Sequence, residues 1–285
     1  MRRNLLGLVL LVFGLSSLFL YWWVRLYSRL ARRRADNSTS LKPEQVFVTM
    51  VTSVKFSSDM WTHWLAHYTN ASLGFHLEGK EQDHAVALFE AHGITPIVWQ
   101  GVYTSVAKGA FKDAIYAERV PSSSWLIETD DDELIEFPKP VLEFLTEVED
   151  LGYTVVQGGM VDHIAADCRL PRAQANTSLW EQYPCMSDIT KTILKAVTRK
   201  RPIHKGNLFT GGGQHEIRDA NNRETSFKET PMILPLHHFK WREGCLEKLQ
   251  ERAALYKKMG ITWWIESETF LKFYTEYVPQ PQPNQ

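Results

Sequence analysis

The sequence predicts an α/β domain with a central, mostly parallel sheet, set behind one N-terminal transmembrane helix. Three observations predict it. Apolar, β-branched runs alternate with helical stretches from Gln45 to Gln157, the pattern of strands joined by crossover helices. Leu5 to Val24 is a run of twenty uncharged residues, long enough as a helix to cross a bilayer core of ~30 Å. The composition, 44% apolar, 12% aromatic and 23% charged, is that of a folded chain and excludes wholesale disorder.

Residues 1–4 form a short tail and 5–24 the anchor, with Tyr21, Trp22 and Trp23 where an interfacial aromatic belt belongs. A cleaved signal peptide has a shorter apolar core and ends at small residues, whereas this run ends in aromatics and arginines. A basic and polar stem, 25–43, follows. Its five arginines outweigh Arg2 and Arg3, which by the positive-inside rule leaves the body in the cytosol. Three glycosylation sequons at Asn37, Asn70 and Asn176 have meaning only if the body is lumenal, in the Golgi or endoplasmic reticulum. The two signals conflict, and both orientations stay open.

The main domain is expected over 44–275, with a disordered tail at 276–285. Gln45 to Val54 reads as a buried first strand. From Asp59 to Tyr68 a helix would carry Trp61, Trp64, Leu65 and Tyr68 on one face. Strands at Ser72 to Leu77 and Ile94 to Trp99 flank a helix from His84 to His92, which Gly93 closes. Ser124 to Thr129 is a strand that runs into acidic residues. Pro138 to Asp150 is a helix with proline in its first turn and Gly152 past its end, and Tyr153 to Gln157 is another strand. Ser187 is a fair N-cap for a helix through Lys200. The last long helix, Arg242 to Met259, repeats Cys245, Leu249, Ala253 and Tyr256 and stops at Gly260.

Of 32 basic and 33 acidic residues, residues 1–40 hold seven arginines and one acid, so the rest carries a net charge of −7. A body this acidic is a poor nucleic-acid partner, because such binding neutralises phosphates. Three cysteines make no disulfide scaffold and lack zinc-finger spacing.

Three segments carry chemistry. After the apolar strand comes Asp130-Asp131-Asp132-Glu133, and ligands of open α/β sheets bind beyond the carboxyl ends of the strands. In an extended turn Asp130 and Asp132 point the same way and Asp131 elsewhere. Two hard oxygen ligands suit manganese or magnesium, which can also hold a diphosphate; a solvated acidic loop is the plainer alternative. A dehalogenase-type phosphatase also places D-x-D after a strand, but wants Thr or Val where this chain has Leu134. The second segment is His237-His238-Phe239-Lys240-Trp241-Arg242, in which imidazole is a transition-metal ligand and Lys240 and Arg242 can meet a phosphate. In the third, Gly211-Gly212-Gly213-Gln214-His215-Glu216, His215 or Glu216 can serve as a base. The spacing is not that of a Walker loop, and a plain hairpin would look the same.

From about Val46 to Met259 the chain resembles the family 2-like glycosyltransferases of GT-A fold, in the branch that also resembles glycosyltransferase family ninety-two. Five pieces carry the resemblance in family order: Trp125 to Ile135 (WLIETDDDELI), Gly158 to Ala165 (GGMVDHIA), Leu179 to Pro184 (LWEQYP), Gly213-Gln214-His215, and His237 to Trp241 (HHFKW). There are departures. Thr52-Ser53-Val54 stands where an Asn-Glu pair is usual, His163 replaces an arginine, and Cys168 takes a position where glycine is expected. The resemblance implies a GT-A-like nucleotide-diphospho-sugar transferase domain. The protein would be a metal-dependent, inverting enzyme moving a sugar from a nucleotide-sugar donor to a glycan, glycoprotein or glycolipid acceptor. Manganese or magnesium would be held by Asp130, Asp132 and His238, or by His237 in its place. Asp130, Lys240 and Arg242 would bind the donor, and Asp162, His215 or Glu216 would act as base. A catalytically inactive glycan-binding or scaffold protein of the same fold is the other class. Cys168 and Cys185 can bridge in a lumenal body; three free thiols is the alternative.

Overall fold

The computed structural model describes residues 40–50, 52, 58–68, 74–76, 82–99, 104–219, 221 and 223–278. The expected anchor at 5–24, most of the stem and the tail beyond 278 lie outside these residues. Among the described residues no helix is long and apolar enough to cross a membrane.

In chain order the strands are β1 (Val46–Met50), β2 (Gly74–His76), β3 (Ile97–Trp99), β4 (Trp125–Thr129), β5 (Glu133–Ile135), β6 (Val155–Ile164), β7 (Cys185–Ser187), β8 (Arg199–Lys205) and β9 (Glu229–His238). The helices are α1 (Trp61–His67), α2 (Gln82–Glu90), α3 (Ser105–Arg119), α4 (Val141–Asp150), α5 (Leu179–Gln182), α6 (Ile189–Thr192), α7 (Cys245–Met259) and α8 (Trp264–Tyr277).

The main sheet runs β1-β4-β8-β6-β9-β5, with β7 on the far end of β6, and β2 and β3 form a separate parallel pair. β1 with β4 and β6 with β9 are parallel; β4 with β8, β6 with β8, β6 with β7 and β5 with β9 are antiparallel. The sheet is therefore mixed rather than mostly parallel. One cause is β8, which enters between β4 and β6 and begins within the last two residues of the helix expected from Ser187 through Lys200. That segment makes one turn, α6; Lys195 then adopts a left-handed conformation at φ 57, which ends a helix. Thr198, Ile203 and Pro202 beyond it favour extended backbone.

All five residues of β4 are buried, as suits the middle of a sheet covered on both faces. The main core joins Val48, Met50, Trp125, Ile127, Ile203 and Leu236 from the strands to Trp61, Trp64, Phe144 and Leu145 from the helices. A second cluster forms where α7 and α8 pack together, with Trp241 stacked on Phe270 at 4.2 Å between ring centres. Gly158 and Gly159 let β6 pass close to its neighbours: a Cβ at Gly158 would meet Pro202 Cγ at 3.1 Å, and one at Gly159 would meet Ile233 Cγ2 at 3.0 Å.

Leu41, three residues before the expected start of the domain at 44, is buried and its N–H donates to Thr146 Oγ1 at 3.0 Å. At the other end α8 continues through Tyr277, two residues past 275. β6 reaches Ile164, seven residues beyond the strand read from the sequence. α3 has no counterpart in the sequence reading. Its buried residues are Lys108, Gly109, Lys112 and Tyr116, so two lysines and a glycine carry the helical period that apolar residues usually mark. Thr104 caps it by accepting from the N–H of Ala107 at 3.1 Å.

Candidate metal centre

β4 ends at Thr129, and Asp130 to Asp132 turn the chain into β5, closed by a Glu133 N–H to Asp130 carbonyl bond of 3.1 Å. The turn sends three adjacent carboxylates in three directions. Asp130 pairs with Lys108 and, at 3.1 Å, with Lys200. Asp131 accepts from the Thr52 hydroxyl, which itself accepts from Trp61 Nε1 at 3.2 Å. Asp132 lies 3.9 Å from His238 Nε2 and 3.9 Å from the Arg242 guanidinium. Glu133, the first residue of β5, pairs with Lys200 and accepts from the N–H of Asp130 at 3.2 Å.

The register of three strands completes the group. Glu133 lies opposite His238 across the β5–β9 pair, and Asp162 lies opposite His238 across β6–β9. Their side chains therefore share one face. His238 Nδ1 is 2.7 Å from Asp162 Oδ1. Asp162 is held in turn by the N–H and hydroxyl of Thr190 at 2.6 and 2.8 Å. A carboxylate accepts only, so Nδ1 donates and Nε2 is turned toward Asp132. This is how a histidine is oriented for a metal. One ligand atom each from Asp132, Glu133 and His238 lie within 4.8 Å of one another, and all three residues are buried.

Burial and neighbouring charges compete at each carboxyl. Burial raises the Asp130 carboxyl, but Lys108 and Lys200 overcome this and hold it well below the usual range. Burial also opposes ionisation of Asp132, and His238, Lys248 and Arg242 outweigh it. Burial, assisted by Asp132, pushes Asp131 up, and burial pushes Glu133 up despite Lys200. Asp162 is held at about 2: burial works against it, and His238 and Thr190 prevail. Two carboxylates beside an imidazole are a donor set for manganese, zinc or magnesium.

The expected site residues thus separate. Asp132, His238, Asp162 and Arg242 meet in one buried place. Asp130 stands beside it but outside the three-residue group, because its oxygens are engaged by two lysines. Lys240 is held over the Trp241 ring, 5.1 Å from its centre. His215 donates from Nδ1 to the Arg199 carbonyl at 2.8 Å; burial lowers its pKa, and Lys200 and Asp130 act on it. Glu216 is exposed and pairs with Arg218. His237 points to the other face and touches His163 and Glu136. Cys168 and Cys185 are free and exposed thiols. Cys168 sits in the left-handed region at φ 58, a conformation that favours the glycine expected there.

Several residues at the site were not legible beforehand. Glu133 enters the ligand group through its register with His238. Lys108 and Lys200 come from a helix and a strand that the sequence pattern hid. Under the turn, Lys112 pairs with Glu128 in the interior, and Glu128 accepts from the Thr210 hydroxyl at 2.9 Å. Lys112 also donates to the Gly211 carbonyl at 2.6 Å, which ties the glycine segment to α3. Gln214 is fully buried at φ 59, with neither amide atom of its side chain hydrogen-bonded among the described residues. No protein-family model matches the chain, and no curated protein matches it either.

Proposed function

We propose that the chain is a membrane-anchored glycosyltransferase of GT-A-like architecture that uses a nucleotide-sugar donor and a divalent cation. The observation that carries this reading is the Asp162–His238–Asp132 alignment beyond the carboxyl end of β4, in the position where open α/β sheets bind ligands. Asp132, Glu133 and His238 would hold manganese or magnesium. When bound, the cation supplies Lewis-acid stabilisation of charge on a departing diphosphate. Arg242, fixed by Asp59 at 3.2 Å, adds positive charge beside it. Asp162 orients His238, and a carboxyl held at about 2 is a weak base. The role of base therefore passes to His215, which burial keeps neutral at pH 7. The acceptor is a glycan, glycoprotein or glycolipid. A lumenal body in the Golgi or endoplasmic reticulum fits the sequon at Asn176, which is exposed in a turn. A mass loss on glycosidase treatment checks that orientation.

The decisive test is binding of a nucleoside diphosphate in manganese. Asp132→Asn changes charge with little change in volume, so the fold survives while cation-dependent binding falls by tenfold or more. Equal affinity in wild type and variant overturns the metal assignment. A second reading, a glycan-binding protein without turnover, is favoured by one observation: Lys108 and Lys200 engage Asp130, the first carboxylate of D-x-D. Manganese-dependent hydrolysis of any nucleotide sugar in a panel excludes it.

A further inference from the structure

The face of β5 and β9 opposite the acidic group holds a cavity of about 470 Å³, lined by His67, Ile135, Glu136, Phe137, Trp180 and His237. It falls within the range of small-molecule clefts, roughly 300–1,000 Å³. Register and strand alternation separate it from the metal centre: His238 and Glu133 face one way, His237 and Leu134 the other.

Its floor is built rather than incidental. Trp180 is 44% exposed, although its neighbour Leu179 is buried. The indole is set edge-on against His237 at 5.7 Å and Phe239 at 5.4 Å between ring centres. His237 is fixed between His163 Nε2, 2.9 Å away, and Glu136 Oε2, 3.0 Å away. His163 in turn donates from Nδ1 to the Tyr183 carbonyl at 3.0 Å and stacks on Phe239. A large aromatic plane is therefore held open to solvent by partners that cannot turn away.

Two of the polar groups around it offer free lone pairs. A carbonyl only accepts, so the 2.8 Å contact between His67 Nε2 and the Ile135 carbonyl places the proton on Nε2 and leaves Nδ1 as an acceptor. The Glu136 side chain is 64% exposed, so its carboxylate has lone pairs to spare beyond the His237 contact. A phosphate or other anion would be repelled by Glu136. A ligand that offers an apolar C–H face to the indole and several O–H donors to Glu136 and His67 fits both features. We propose that this cleft binds a neutral pyranoside, a sugar unit of a glycan, at a site separate from the metal centre. The proposal does not rest on the transferase reading.

Neutral methyl pyranosides and short oligosaccharides, titrated into the full-length chain by calorimetry or saturation-transfer NMR, test it. At least one should bind with millimolar affinity, with and without manganese, and Trp180→Ala should weaken it about tenfold. Trp180→Phe, which keeps a ring, should lose less, and Glu136→Gln should weaken binding without changing thermal stability. Asp132→Asn, which tests the metal centre, should leave sugar binding unchanged, so the two readings can fail separately. No binding to wild type up to ~10 mM, equal binding by Trp180→Ala, or tighter binding of tetramethylammonium than of every sugar would overturn the proposal.

Discussion

On one face of β5, β6 and β9, His238 donates to Asp162 and stands 3.9 Å from Asp132, among carboxylates balanced by Lys108, Lys200 and Arg242. On the opposite face His237, the next residue back, stands among rings, with one exposed carboxylate for company. The first environment is charged, buried and internally paired; the second is aromatic and open. One step along a strand separates them, because side chains alternate with a period of two. Identical residues thus acquire different chemistry from backbone geometry alone.

The comparison can be broken most forcefully at Lys200. Lys200→Met keeps the length of the side chain and leaves Asp130 and Glu133 beside each other without their shared cation. Breaking a buried pair in this way costs about 3–5 kcal/mol, read by urea denaturation at pH 7. Trp180→Ala on the exposed face should cost under ~1 kcal/mol. Manganese should restore part of the Lys200→Met loss, and equal stability of the two variants would contradict the contrast drawn between the faces.

The Glu128–Lys112 pair beneath the acidic turn gives the next largest effect. Burial raises the Glu128 carboxyl, but Lys112 and His204 bring it down to about 2, against an ordinary value of ~4.3. A depressed carboxylate stabilises the fold fully above its unfolded value and loses this as pH falls through its folded value. Glu128→Gln should therefore be less stable than wild type by about 3 kcal/mol at pH 7. The gap should close between about pH 4.5 and 2. A gap that stays constant over that window would show that Glu128 is not the titrating group.

The two histidines sharpen the comparison directly. His238→Ala should reduce manganese-dependent binding of a nucleoside diphosphate by roughly ten- to hundredfold. The double variant with Asp132→Asn should be little worse than either single, since the two act as one unit. His237→Ala should leave that binding within about twofold while disturbing the Trp180 cleft. An effect of His237→Ala equal to that of His238→Ala would place both rings in one site. The smallest effect belongs to Glu216→Gln. The side chain is exposed and paired with Arg218, so stability should change by under ~0.5 kcal/mol. Turnover should be unchanged if His215 is the base. Loss of turnover in Glu216→Gln with His215→Ala active would reverse that choice.

What the sequence by itself determined is whatever is carried by contiguous residues. The β-branched run at Val46, the apolar run that ends in Asp130, the proline–glycine brackets around α4 and the apolar period of α7 each signal a local preference that the tertiary structure keeps. The acidic turn and the His237–His238 pair were also visible as residue types in a pattern. The tertiary structure alone decided which of them meet. Asp132, Glu133, Asp162 and His238 come together through strand registers between segments 29 to 106 residues apart, and no local propensity fixes a register. It also decided that Lys108, Lys112 and Lys200 point inward. A lysine in sequence reads as solvent-facing, and only a buried carboxylate across the fold makes its burial favourable. For the same reason β8 was hidden: a basic segment with proline becomes a central strand only because β4 and β6 lie on either side of it.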